Sequence, residues 1–191
     1  MTTNRWRTVD IVVAAVIAAA FGVVFWVWNN VWETTSAFNG YPPLRALLNG
    51  VWLIPAVLGP LVVRKPGAGM FTETVAAVIS SLLGSPWGLT TILYGLFQGL
   101  AGEAPFAATG YRSSRLPVAL TGGALAGAAA GFLDLTLYYP NYSLGYRVAQ
   151  IGLSALSGLV IAGLGSWALT AALARTGVLD RFPSGRERVA V

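Results

Sequence analysis

Cysteine and histidine are both missing from this 191-residue chain, and charge is scarce, at 10% of residues. The first absence excludes disulfides, thiolate nucleophiles, Cys/His zinc sites and imidazole proton relays. The second sets the chain apart from soluble domains, in which about a quarter of residues are charged. No G-x-x-x-x-G-K-[ST] run is present, so the chain has no nucleotide-binding loop with which to hydrolyse ATP. No nucleophile has a base beside it, and no ligand cluster suits a metal. The chain reads as a non-enzyme that needs neither cofactor nor metal. The two-fold repeat common in secondary transporters is also lacking.

What fills the chain is apolar: 55% of residues are hydrophobic and the mean hydropathy is +0.67. A helix needs roughly 20 apolar residues to cross about 30 Å of hydrocarbon. Six segments approach or exceed that length: 8–31, 44–63, 68–84, 88–109, 116–138 and 145–174. The expectation is a single all-α membrane domain over residues 1–191, a bundle of six transmembrane helices. RKPG at 64–67 and SPWG at 85–88 read as tight turns, with Pro and Gly stopping each helix. The first segment is too long and too aromatic at its end for a cleaved signal.

The net charge of +5 comes from basic residues scattered between apolar segments, a topology signal rather than a nucleic-acid stripe. Arg5, Arg7, Arg64, Lys65, Arg112, Arg115, Arg175, Arg181, Arg186 and Arg188 fall on one side of the six-span scheme. Arg45 and Arg147 fall opposite. The positive-inside rule then places both termini in the cytoplasm.

Sorted by depth, the polar residues form two layers. The outer one holds Trp28, Asn29, Asn30, Glu33, Arg45, Asn49, Trp52, Trp87, Tyr94, Asp134, Tyr138, Tyr146, Arg147 and Gln150. Asn49/Trp52, Tyr94/Gln98, Asp134/Tyr138 and Arg147/Gln150 are spaced three or four apart, so each pair shares a helix face. Aromatic walls with a few polar groups are what a small-molecule pocket requires. Asp134 is the candidate charged anchor and Glu33 its competitor, because an acid in a bilayer needs a partner. Other roles stay open. Trp and Tyr also form interfacial belts, Asn and Gln also join helices, and Asp134 and Arg147 would staple the last two segments if paired. The inner layer is Glu73 and Glu103, near Arg64, Lys65 and Arg112, and reads as structural pairing near the cytoplasmic surface. The apolar middle offers no through-path, which favours a one-sided, outward-facing pocket.

Small residues mark two helix faces. Ala14, Ala15, Ala18, Ala19 and Ala20 in the first segment, and Gly122, Gly123, Gly127 and Gly131 in the fifth, permit close approach of another helix. Either face serves internal packing or a docking partner.

Several stretches carry a family resemblance. They are Val63-Arg64-Lys65-Pro66-Gly67-Ala68 leading to Glu73, Leu83-Gly84-Ser85-Pro86, and Gln98-Gly99-Leu100-Ala101-Gly102-Glu103-Ala104. Asp134, Gly145-Tyr146, Ser157-Gly158 and Thr176-Gly177-Val178-Leu179 continue it. Over about three quarters of its length the chain resembles the S components, the substrate-capturing subunits of energy-coupling-factor (ECF) transporters. Within them it looks like the thiamine/hydroxymethylpyrimidine type, the YkoE-like family. The resemblance implies capture of thiamine or its hydroxymethylpyrimidine precursor from outside, then toppling within the bilayer to release it inward. Two ATPase subunits would act through a transmembrane coupling (T) subunit docked on Ala14, Ala15, Ala18 and Ala19.

The residues suit that substrate. Tryptophan faces attract the thiazolium cation, a carboxylate accepts from the exocyclic amine, and Asn or Gln reads ring nitrogens. The expected set is Asp134, Asn49, Trp52, Trp87, Tyr94, Gln98, Tyr138, Tyr146, Gln150 and Glu33. The competing expectations are an S component for another vitamin such as riboflavin, a structural membrane protein, and a proton-coupled carrier using Glu73 and Glu103.

Overall fold

Proline, glycine and one ion pair set the helix boundaries of the chain. The structure, a computed structural model, describes residues 5–35, 40–182 and 185; Arg186 and Arg188 of the basic set lie outside that range. Helix α1 (Thr8–Thr34) starts at a reciprocal cap, in which the Arg7 backbone N–H donates to Asp10 Oδ2 at 2.8 Å and the Arg7 guanidinium pairs with Oδ1 at 2.7 Å. Helix α2 spans Pro42–Val63, its first half (Pro42–Leu53) wound as a 3-10 helix and its second (Ile54–Val63) as an α-helix. Then come α3 (Ala68–Leu82), α4 (Thr90–Ala108) and α5 (Leu116–Leu137). Helix α6 (Leu144–Arg175) carries a π-wound stretch at Gly158–Leu164. No strand occurs among the described residues.

These helices occupy the apolar segments expected from the sequence. By length and composition four of them, α1, α2, α5 and α6, can cross a membrane, and α3 is a shorter apolar helix. At 1.5 Å per residue the 15 residues of α3 reach about 22 Å, less than the hydrocarbon thickness. Helix α4 carries Thr90, Thr91, Gln98 and Glu103, which lower its hydropathy.

Helix α2 is the centre of the fold. Of its most apolar window 72% is buried, against 22% for α1, which therefore lies at the periphery. Leu53, Ala56, Val57 and Leu61 of α2 pack with Phe106 of α4, Ala119, Ala126 and Ala130 of α5, and Ala162 of α6. The glycine face of α5 is internal. A Cβ at Gly127 would collide with the Ser154 carbonyl oxygen and one at Gly123 with that of Gly158, so both contacts between α5 and α6 require glycine.

A second cluster closes the opposite end of the molecule. Ala14 packs there with Leu58, Val62, Val63, Ala68, Leu179 and Phe182. Trp6 Nε1 donates to Pro66 O at 2.9 Å, and the Arg7 guanidinium lies 6.0 Å from the Phe182 ring centre. Glu103 accepts from the backbone N–H groups of Gly67 and Met70 and from the Tyr111 hydroxyl. Burial, then this bond to Glu103, pushes the Tyr111 phenol well above its ordinary range. The chain start, the 64–67 turn, the loop after α4 and the segment after α6 thus share one end, with most of the basic residues.

Two sequence expectations change here. Glu103 caps the start of α3 through backbone and tyrosine donors. Ala14 and Ala18 are fully buried, because the inner face of α1 packs against α3. Gly22 on the same face meets Ile79. Ala15 is half-buried and Ala19 exposed, so only part of the alanine set faces outward.

Candidate functional site

Five helices converge on a cavity of about 330 Å³ lined by fifteen residues, among them three tryptophans, three tyrosines and two acids. Helix α1 contributes Phe25, Asn29 and Trp32, spaced four and three apart and therefore on one face. Helix α2 contributes Asn49 and Trp52 from its 3-10 half. In that winding residues three apart eclipse, which stacks the amide and the indole on the same side. Glu73 and Ala77 come from α3, Thr91, Tyr94, Gly95 and Gln98 from α4, and Asp134 from α5. Trp87, in the turn before α4, and Tyr138 and Tyr139, just after α5, complete the lining.

Asp134 organises one side of the cavity. Its Oδ1 accepts from the Tyr94 hydroxyl at 2.7 Å. Its Oδ2 accepts from Gln150 Nε2 at 2.8 Å and Asn49 Nδ2 at 3.1 Å. Asn49 is itself held by Ser154 Oγ at 3.0 Å. Every one of these donors is neutral, and among the described residues no Arg or Lys forms an ion pair with Asp134. A carboxylate offers about four acceptor positions, so these three donors leave it room for another.

Indoles form the opposing wall. Trp52 lies 5.4 Å from Trp32 and 5.5 Å from Trp87, the latter pair edge to face at 87°. Trp52 Nε1 donates to Asn29 Oδ1 at 3.0 Å, and Asn29 Nδ2 to Ser80 Oγ at 3.3 Å, which orients the ring from α1 and α3. Behind Trp32 stands Arg45, its guanidinium 4.5 Å from the ring centre and bonded to the Trp32 carbonyl at 2.7 Å. At the rim Tyr138 is 41% exposed and bonded to Thr90 Oγ1 at 2.8 Å. Tyr139 stacks on Tyr142 at 4.7 Å. Burial, then the charge of Asp134, raises the Tyr139 phenol above its ordinary range, so it stays protonated at neutral pH.

Of the expected site residues, Asp134, Asn49, Trp52, Trp87, Tyr94, Gln98 and Tyr138 line this cavity. Three others stand elsewhere. Gln150 reaches Asp134 from α6 without lining the cavity. Tyr146 packs against Tyr41 at 5.1 Å and Tyr142 at 5.4 Å, because the first turn of α6 faces the 138–143 connection. Glu33 is exposed; it follows Trp32 by one residue, about 100° around α1, and so points away. Arg147 does not pair with Asp134. It donates to the carbonyl oxygens of Pro140 and, at 2.9 Å, Tyr142.

Glu73 is the residue that depth alone misplaced. It lines the cavity, is fully buried, and accepts from the Ala56 backbone N–H at 2.8 Å. Phe25, Trp32, Thr91 and Tyr139 were also missed; the 25/29/32 spacing on α1 was the available signal for two of them. Among the described residues no group of three or more His, Cys, Asp or Glu side chains could hold a metal ion.

Comparison with known proteins gives this site a context. Residues 9–129 match the family described as "ABC-type cobalt transport system, permease component". The chain is 34% identical over 185 residues to the putative HMP/thiamine permease protein YkoE of Bacillus subtilis (strain 168), covering 96% of this chain and 92% of that one. A crystal structure of an S component of an ECF transporter superposes with a TM-score of 0.91 at 33% identity, covering 97% and 94% of the two chains. These relatives are membrane transport proteins rather than enzymes, and the chain belongs with them to the S components of ECF transporters, in the YkoE-like family.

Proposed function

We propose that this S component captures thiamine or its hydroxymethylpyrimidine precursor in the cavity beside Asp134. The observation that carries the reading is a carboxylate held by Tyr94, Asn49 and Gln150, all neutral, and facing a tryptophan wall. Such a site sets a carboxylate that, among the described residues, no Arg or Lys occupies before a cationic or amine-bearing ligand. A desolvated cation over an indole face gains up to about 2 kcal/mol. The cavity falls in the range of about 300–1,000 Å³ usual for small-molecule sites. The name of the Bacillus subtilis relative points to the same ligands.

In this reading all six helices span the plasma membrane as one domain. The basic end and both termini lie in the cytoplasm, and the cavity takes its ligand from outside. Gathering of the basic loops at one end supports that orientation through the positive-inside rule. A coupling T subunit and two ATPase subunits supply the energy for uptake, since this chain has no nucleotide-binding loop of its own.

The test is a titration of purified protein with thiamine, followed by tryptophan quenching. Saturable binding is expected, weakened about tenfold or more in Asp134→Asn, the loss of one charge-assisted contact. Equal affinity of the wild type and this variant sinks the role of Asp134. Preference for riboflavin in a parallel titration sinks the substrate.

A further inference from the structure

Ser157 of α6 is buried and does not line the cavity, yet its hydroxyl sits against one turn of α2. It accepts from the Gly50 backbone N–H at 2.9 Å and donates to the Leu47 carbonyl oxygen at 2.6 Å. Gly50 makes room for it. A Cβ there would lie 2.6 Å from the Ser157 carbonyl oxygen and 2.7 Å from its hydroxyl oxygen.

The two groups that Ser157 joins favour one winding. A 3-10 turn sets the carbonyl of Leu47 opposite the N–H of Gly50, three residues on, whereas an α-helix aims that carbonyl at Val51. One oxygen bonded to both groups therefore favours the tighter turn. Support is needed, because 3-10 runs beyond about three or four residues are uncommon, and this one covers the 12 residues of Pro42–Leu53.

Helix α6 is shaped to deliver the contact. Ser154, three residues before Ser157 and on the same face, accepts from Asn49 Nδ2 at 3.0 Å. Ser166 Oγ donates to the Ile54 carbonyl oxygen at 3.2 Å. From Ser157 to Ser166 is about two and a half turns of a regular α-helix, which would put the two on opposite faces. The wider π winding of Gly158–Leu164 between them returns Ser166 to α2.

We infer that Ser157 is a positioning residue of the binding site, holding the first half of α2 in the 3-10 winding that aligns Asn49 with Trp52. Gly50 lies between those two residues, so the hydroxyl acts where their alignment is set. In α winding, residues 49 and 52 stand about 60° apart around the axis. That rotation pulls against the bonds of Asn49 to Asp134 and of Trp52 to Asn29. The consequence for a ligand rests on the thiamine/hydroxymethylpyrimidine reading; the winding itself does not.

Wild type, Ser157→Ala and Ser166→Ala are compared by thermal melt, thiamine titration and amide hydrogen exchange. Each variant loses one buried hydroxyl contact between α6 and α2, so both are expected to melt at a somewhat lower temperature. Ser157→Ala is expected to weaken thiamine about three- to tenfold and to speed exchange over residues 47–53 about tenfold or more. Ser166→Ala should keep thiamine affinity within about twofold and leave exchange over 47–53 as in the wild type. Wild-type affinity or wild-type exchange in Ser157→Ala overturns the role of Ser157. Equal losses in the two variants overturn it as well, since any contact along α6 would then serve. If the wild type binds no thiamine, the capture reading fails, and exchange over 47–53 still decides whether Ser157 holds the winding.

Discussion

Gln150 donates to Asp134 Oδ2 at 2.8 Å from a helix that contributes nothing to the cavity wall. It is 2% exposed, so its bond holds the carboxylate without reaching the space where a ligand would sit. Together with Tyr94 and Asn49 it fixes the direction of the charge. Sites of this kind depend on the residues behind them, because orientation is set before the ligand arrives.

Replacing Gln150 by Leu should therefore weaken thiamine binding by about three- to tenfold, the range for one hydrogen bond of ordinary strength, with the cavity lining unchanged. Gln150→Glu should be worse, since it sets a second acid against Asp134. Quenching titrations on both variants measure this. Full affinity in the Leu variant would show that Tyr94 and Asn49 suffice.

Arg147 should be dispensable for the ligand. Its guanidinium serves the carbonyls of Pro140 and Tyr142, and bonds to an exposed charged side chain contribute little, on the order of 1 kcal/mol or less. Arg147→Gln is expected to leave thiamine affinity within about twofold of wild type and to lower the melting temperature slightly. A charge swap of Asp134 and Arg147 should abolish binding, whereas a stapled ion pair would have tolerated it.

The tightest packing in the fold makes a stability prediction. Gly127→Ala puts a methyl group against the Ser154 carbonyl, and α5 cannot retreat because Gly122 meets α4 on its other side. Overpacking of this kind costs about 1–3 kcal/mol. Thermal unfolding in detergent should show a clear fall for Gly127→Ala and for Gly123→Ala. Gly152→Ala, where a Cβ meets open space, should be neutral and serves as the control.

Much of this architecture was legible in one dimension. Apolar runs cut by Pro66-Gly67 and by Ser85-Pro86 place the helix ends, because the bilayer length and the need to stop a helix are both linear properties of sequence. Seven cavity residues were found by sorting polar and aromatic side chains by depth. Depth says nothing of azimuth, which is why Glu33 and Tyr146 were grouped with neighbours they turn away from. Glu73 was lost for a different reason. Its place in the cavity depends on how closely α3 and α4 approach, and that distance is set by Gly95 and Gly99, on another helix. The 3-10 winding of α2, which aligns Asn49 with Trp52, left no mark in the residue pattern either.

The alanines of α1 divide by the same azimuth, and the division separates stability from assembly. Ala14 and Ala18 are fully buried, and a Leu there forces α1 off α3. Ala18→Leu should lower the melting temperature, at a cost of about 1–3 kcal/mol, whatever partner is present. Ala19 is exposed, beside Val12, Val16 and Val23 at 53%, 63% and 49% exposure. In the proposed transporter a coupling subunit approaches that outer face, and close helix contact in a bilayer requires small side chains. Ala19→Leu should therefore leave melting temperature and thiamine affinity unchanged while reducing co-purification with the coupling subunit. If Ala19→Leu assembles normally, the docking surface lies on another face of the bundle.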